Sequence, residues 1–196
     1  MRKKLSKMLL AGLLIATVSY AETDDKYIYD SNSLVGIEGG MATFDIKDTT
    51  AIKKEEDFNM AGFKVGAETR DFRMFLSARK AFMNGDHYDW DKAYMYGAEL
   101  QYKFNVMDSL NFFIGGNIGR VSFEFKDLTA AVREYTTKYI GGDVGINYHI
   151  NDMFDLELGA RLMTLSDDTH TLGGVTYTFD DITNGYMSLI VKFQMD

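Results

Sequence analysis

The sequence of 196 residues has no cysteine, no proline and a single tryptophan. Without cysteine there is neither a disulfide framework nor a thiolate metal site, and nothing to misoxidise in an oxidising compartment. Without proline no residue interrupts a strand ladder, so long strands are permitted. Long apolar runs are missing too. The one run present, Met8 to Val18, is far short of the roughly 20 residues a spanning helix needs. Basic residues are the scarcer charge, 21 against 29 acidic, which argues against nucleic acid as a partner. A slightly negative mean hydropathy excludes a helical membrane protein, but not a barrel in which only alternate residues meet lipid.

What is present begins with a targeting pattern. Arg2, Lys3, Lys4 and Lys7 precede the apolar run, and Ser19-Tyr20-Ala21 follows it. This reads as a secretory signal peptide over residues 1–21, cut between Ala21 and Glu22 after export through the Sec pathway. The mature part then holds 17 basic and 29 acidic residues, a formal charge of −12. Residues 22–33 are polar and read as a periplasmic lead-in, and residues 34–196 as one domain.

The clearest pattern in that domain runs from Ile140 to Leu162. Ile140, Gly142, Val144, Ile146, Tyr148 and Ile150 alternate with Gly141, Asp143, Gly145, Asn147 and His149. After an Asn151-Asp152 turn, Phe154, Leu156, Leu158, Ala160 and Leu162 alternate with Asp155, Glu157, Gly159 and Arg161. Period two over this length means extended strand. Each arm exceeds the usual ~5–6 residues, and its polar face carries full charges in mid-strand. Strands of about 9–11 residues, apolar on one side and polar on the other, are what a transmembrane barrel uses.

The same alternation recurs at about 34–44, 60–69, 72–79, 94–104, 110–118 and 183–193, which predicts eight strands with the hairpin arms included. The intervening segments 45–58, 84–92, 126–136 and 166–181 are long and polar, and alternate with short turns at 70–71, 105–109 and 151–152. That order matches long extracellular loops and short periplasmic turns, with both chain ends in the periplasm. A small hairpin is expected inside the last long loop, around Gly173-Gly174. Near Gly119-Arg120 the apolar parity flips, from Ile118 to Val121, Phe123 and Phe125. Either a bulge at the glycine or departure of the strand from the bilayer would produce this.

The fold class is therefore all-β: an eight-stranded antiparallel up-and-down transmembrane barrel. A soluble barrel of lipocalin type, with its apolar faces inward, is the alternative. Mid-strand charges and aromatic ends on the apolar faces (Tyr94, Tyr102, Phe104, Tyr148, Phe154 and Phe193) oppose it, since interfacial girdles have this composition. With these faces and the last strand Tyr186–Phe193, the chain resembles small eight-stranded outer-membrane barrels such as the outer-membrane protein A transmembrane domain and the outer-membrane protein X group. The resemblance covers the mature chain. It implies location in a Gram-negative outer membrane, contact with lipid and lipopolysaccharide, a monomer, and recognition of the last strand by the barrel assembly machinery. That family ends on phenylalanine, whereas here Gln194-Met195-Asp196 follows Phe193.

The inward set, Glu38, Lys64, Glu68, Arg73, Arg79, Glu99, Lys103, Asp143, Glu157 and Arg161, holds both signs in equal number. An eight-stranded barrel is just wide enough for side chains to fill, and buried charges must be paired. A lumen plugged by ion pairs follows, with Gly66, Gly97, Gly115, Gly145 and Gly159 leaving room for Arg and Lys arms. A small porin-like channel is the alternative. Lipid-modifying enzymes on this scaffold pair a histidine with a serine or an acid; His87, His149 and His170 show no such arrangement, so no catalytic residue and no cofactor is expected. Asp167, Asp168, Asp180 and Asp181 are the weak candidates for a divalent cation, with Asp86, Asp89 and Asp91 behind them. Solvated loop acids are the plainer reading.

Overall fold

A strand forms wherever alternate residues can be buried without interrupting the hydrogen-bond ladder, and here this holds over most of the chain. The computed structural model describes residues 31–47, 53–83, 89–126, 131–172 and 174–194. The Ala21–Glu22 cleavage site and His87 lie outside them. The strands are β1 (Asn32–Lys47), β2 (Lys53–Glu68), β3 (Phe72–Met83), β4 (Asp89–Met107), β5 (Leu110–Lys126), β6 (Val132–His149), β7 (Phe154–Leu165), β8 (Thr169–Leu172), β9 (Val175–Phe179) and β10 (Ile182–Phe193). Each long strand pairs antiparallel with the next, and β10 returns to pair with β1 from Ser33↔Phe193 to Thr43↔Thr183. Eight strands thus close a barrel. The short pair β8 and β9 is the hairpin inside the last long connection, and β9 joins the edge of β1 at Ile46↔Phe179 and Lys47↔Thr178.

The short turns are fixed by local chemistry. Asn151 Oδ1 accepts the backbone N–H of Met153 and of Phe154, both at 2.9 Å, folding the chain from β6 into β7. This is the side-chain mimicry that suits asparagine to turns. Thr69 does the same between β2 and β3, accepting the N–H of Phe72 at 3.3 Å.

The strands are longer than the alternation predicts. β1 runs to Lys47, β2 starts at Lys53, β4 at Asp89 and β6 at Val132, so the described parts of segments 45–58, 84–92 and 126–136 are mostly strand rather than loop. At about 3.3 Å per residue, the 17 residues of β5 reach far beyond the 9–11 that cross a bilayer. The upper parts escape recognition because their faces are exchanged. Below, the wall is apolar outside: Ile37 is 65% exposed and Leu76 62%. Above Met41 and Ile118, the outer face turns to Thr43, Asp57, Ser122 and Thr136, while Phe44, Phe58, Phe123 and Phe125 are buried inside. The lower half is patterned for lipid and the upper half for water.

This resolves the parity flip. The β5–β6 ladder runs from Leu110↔Tyr148 to Lys126↔Val132 without a shift, so Gly119 carries no bulge. Asn117, Gly119, Val121 and Phe123 all point inward; the inner face changes chemistry and the strand does not turn over. The β4–β5 irregularities lie elsewhere, at Trp90/Lys92 and Asn105/Met107. β1 also starts at Asn32, two residues inside the expected lead-in.

Candidate functional site

The lower lumen is a layer of charge. All ten inward residues expected from the sequence point there, and none is more than 7% exposed. Arg161 on β7 sends two parallel hydrogen bonds to Glu38 on β1, at 2.8 and 2.9 Å, and a third to Glu99 on β4 at 3.2 Å. Arg79 on β3 donates Nε to Glu38 at 2.7 Å and also binds Glu99. Planar guanidinium forks suit such paired acceptors. Lys64 reaches Glu157 at 2.6 Å and Glu38 at 3.8 Å. Nearer the short turns, Arg73 meets Glu157 at 2.7 Å, Glu68 at 3.4 Å and Asp155 at 3.6 Å, and Lys103 meets Glu68 at 2.9 Å. Asp143 takes neutral donors instead, the amides of Gln101 at 2.9 Å and Asn117 at 3.4 Å.

Two charged members of this layer escape a reading of the sequence. Asp155 accepts from Lys192 at 2.8 Å, Asn147 at 2.8 Å and His149 Nδ1 at 2.7 Å. Their parity was the available signal: Asp155 alternates with Glu157, and Lys192 with Ser188 and Ile190. With them this lower layer holds, among the described residues, six carboxylates (Glu38, Glu68, Glu99, Asp143, Asp155, Glu157) and six cations (Lys64, Arg73, Arg79, Lys103, Arg161, Lys192). This balance matters because each lone buried charge costs several kcal/mol, about 3–5 when a partner is removed.

The strand glycines serve rings more than basic arms. A Cβ on Gly159 would fall 2.6 Å from the Tyr186 ring, and one on Gly145 2.4 Å from the Phe113 ring. Gly66 accommodates Phe75, Gly97 accommodates Tyr139, and Gly115 faces the Asp143 carboxylate. Cationic stems lie instead over Gly36 (Lys64) and Gly62 (Arg79). The reason is width: a ring is the one large group that can lie flat on the wall and leave the centre to the ion pairs. Tyr186 does so with the Arg161 guanidinium 3.7 Å above its ring.

Above the charged layer the lumen is mainly apolar and aromatic, with Glu56 the one acid buried there among the described residues, a feature that parity alone did not assign to the inside. Phe179, carried in by β9, stacks on Tyr135 at 4.5 Å and Phe123 at 5.9 Å, and Phe44 stacks on Phe123 at 5.3 Å. Phe125 meets Tyr177 edge-on at 5.5 Å. Such pairs add stability beyond the area they bury. The Tyr135 hydroxyl donates to the Asp167 carbonyl, tying the connection after β7 over the mouth; burial pushes that hydroxyl's pKa up.

On the outer wall, Tyr102, Phe104, Tyr148 and Phe193 gather near the short turns with the half-buried Phe154, and Tyr94 stands at the opposite end of the apolar belt. The Tyr102 ring packs edge-on against Phe104 at 4.8 Å and Phe72 at 5.2 Å. His149 Nδ1 lies 2.7 Å from Asp155 Oδ1 and 3.2 Å from Lys192 Nζ, and its Nε2 lies 3.0 Å from Asn111 Nδ2. It borders a rim recess of about 360 Å³ with Arg70, Asn105, Val106, Met107 and Asp108. Among the loop acids, Asp180 pairs with Lys47 at 3.3 Å, and the Asp168 carbonyl accepts the Phe179 N–H at 2.7 Å. Among the described residues no group of three or more acidic or histidine side chains is placed to hold a metal ion.

A family model described as outer membrane protein beta-barrel domain matches residues 8–189. Among solved structures the chain is similar to Neisserial surface protein A, at 16% identity and a TM-score of 0.59, covering 82% of this chain and 97% of that one. It is also similar to outer membrane protein H of P. aeruginosa, at 15% identity and a TM-score of 0.57, covering 83% of this chain and 99% of that one. At such identities the likeness is one of fold. No curated protein matches the sequence.

Proposed function

Because the chain belongs to the outer membrane protein beta-barrel domain family, we propose that it is a monomeric, non-catalytic barrel of the outer membrane, plugged through its lumen and presenting its extracellular rim for contact. The observation that carries this reading is the two-layer filling: a charge-balanced network below and an aromatic layer under the β8–β9 hairpin above. An ion would have to displace both. His149 does meet an acid, Asp155, contrary to the sequence expectation, but on the inward face of β6, where Asn111 and Lys192 also hold it, and not at a lipid-facing rim.

Residues 1–21 would direct export with cleavage after Ala21, and the barrel assembly machinery would receive β10, whose Phe193 faces outward. Lipid and lipopolysaccharide surround the apolar belt. Planar-bilayer recording of the purified protein tests the plug: silence is the expected result. Large, steady, ion-selective conductance would overturn it in favour of a small pore. Comparing lipid A mass profiles with and without the protein tests the absence of catalysis.

A further inference from the structure

The lower lumen matches its charges contact by contact, with one exception. Among the described residues, Glu38, Glu68, Glu99, Asp155 and Glu157 each lie 3.2 Å or less from a cationic nitrogen. Asp143 on β6 has no such neighbour. Arg161 stands directly opposite it in the β6–β7 ladder, but sends its guanidinium N–H groups to Glu38, Glu99 and Asn184. Asp143 is left with two neutral amides, Gln101 Nε2 of β4 at 2.9 Å and Asn117 Nδ2 of β5 at 3.4 Å. Glu99, two residues from Gln101 on the same inward face of β4, adds a like charge to its surroundings.

Space limits what can neutralise this carboxylate. Asp143 is 1% exposed, Gln101 0% and Asn117 3%, which leaves no room beside it for a water molecule or a metal ion. The β5 side is closed as well: a Cβ on Gly115 would stand 2.8 and 3.0 Å from the two carboxylate oxygens. A proton is the one cation that needs no space, and a buried carboxyl group without a counter-ion neutralises rather than stay ionised. We propose that the folded lumen binds a proton on Asp143 and holds it as the neutral carboxylic acid at neutral pH. Folding draws that proton from water, since an aspartate in the unfolded chain is ionised there. Acceptors for the acid O–H are at hand, because Gln101 Oε1 and Asn117 Oδ1 are buried and have no hydrogen-bond partner. A half-turn of either amide keeps its shape and puts oxygen where nitrogen stood, while the other amide still donates to the acid's carbonyl. The five remaining carboxylates then face six cations, of which Lys192, at the short-turn end, is the most exposed, at 10%, so water shares its charge. The neutral acid also leaves Arg161 undivided, where a carboxylate directly opposite would compete with Glu38 for it. This proposal rests on the plugged lumen proposed above, since water in an open pore would solvate the ionised group.

Infrared spectroscopy of the folded protein in lipid vesicles at neutral pH tests the site. The carbonyl stretch of a protonated carboxyl group is expected, shifted when aspartate alone carries carbon-13, and missing from Asp143→Asn. The isotope arm needs no variant to fold. Urea unfolding gives a second readout: asparagine reproduces a neutral group that both donates and accepts, so Asp143→Asn should keep the midpoint of the unaltered protein. Glu157→Gln, which takes a charged acceptor from Lys64 and Arg73, should lower it. A spectrum without the acid carbonyl, or a band indifferent to the aspartate label, would overturn the proposal. So would a fall in midpoint for Asp143→Asn as large as that for Glu157→Gln. Planar-bilayer recording on the same preparation separates the two readings. Large, steady conductance would remove the plugged lumen and this site with it, whereas silence without the acid band would remove the proton site alone.

Discussion

Arg161 and Glu38 are 123 residues apart in sequence and meet in the middle of the lumen through two parallel hydrogen bonds of 2.8 and 2.9 Å, each side chain at most 5% exposed. Glu38 also faces Arg79 and Lys64, so one carboxylate neutralises parts of three cations. Replacing it with glutamine leaves those cations short of charge, whereas Arg161→Met leaves Glu38 with Arg79 and Lys64. Each single change should cost about 3–5 kcal/mol, with Glu38→Gln the more damaging. The exposed Lys47–Asp180 pair is the control: Lys47→Ala should cost about 1 kcal/mol or less. Urea unfolding in lipid vesicles, followed by gel mobility, measures all three.

The ring of Tyr186 lies between the wall at Gly159 and the guanidinium of Arg161. A Cβ at position 159 needs the space the ring occupies, so Gly159→Val forces Tyr186 off the wall and into the network. The expected loss is about 1–3 kcal/mol. In a Tyr186→Leu background the same valine should cost clearly less, because the obstructing atoms are gone. Equal losses in both backgrounds, in the same unfolding assay, would remove the ring from the explanation.

The sequence reading located the membrane half of the barrel well and its upper half poorly, for one physical reason. Parity states which residues share a face, and the assignment of that face to lipid or lumen was made from composition. Along β7, where Leu156, Leu158 and Leu162 meet lipid and Glu157 and Arg161 meet the lumen, composition gives the right side throughout. Along β5 it changes midway, so Phe123 and Phe125 left a bulge and a departure from the bilayer both open, and the unbroken ladder removes the bulge. The partners of the inward charges were not legible, because Glu38 finds Arg161 only once the barrel closes. The glycines misled for a related reason: a gap in one strand does not reveal whether a ring or a cation from another strand will fill it.

Phe179 is the contact through which the β8–β9 hairpin is held, stacked on Tyr135 and Phe123 and paired across to Ile46. Phe179→Ala should therefore loosen the hairpin without opening the membrane half, since the ion-pair layer touches none of these rings. The local loss should approach the 3–5 kcal/mol typical of burying and then deleting a phenylalanine ring. The expected outcome is faster hydrogen exchange and faster proteolysis between about 166 and 181, with heat-dependent gel mobility unchanged. Loss of that mobility would mean that the upper aromatic layer supports the whole barrel.

The absence of cysteine makes the lipid boundary directly measurable, because any thiol introduced is the only one present. Ile118 and Ser122 share the outer face of β5 on either side of Arg120, with Ile118 56% exposed on the apolar belt. A thiol reacts with maleimide as its thiolate, which requires water to stabilise the charge. On intact cells a charged, membrane-impermeant maleimide should label Ser122→Cys quickly and leave Ile118→Cys unlabelled, and Thr136→Cys and Ile140→Cys on β6 should behave in the same order. Rapid labelling of both residues of a pair would put the water boundary below Ile118 and Ile140. Labelling of Ser122→Cys only after the outer membrane is permeabilised would instead turn the long connections toward the periplasm. Thiols at outward positions above and below a single residue of the wall therefore fix both the depth of the barrel and its direction.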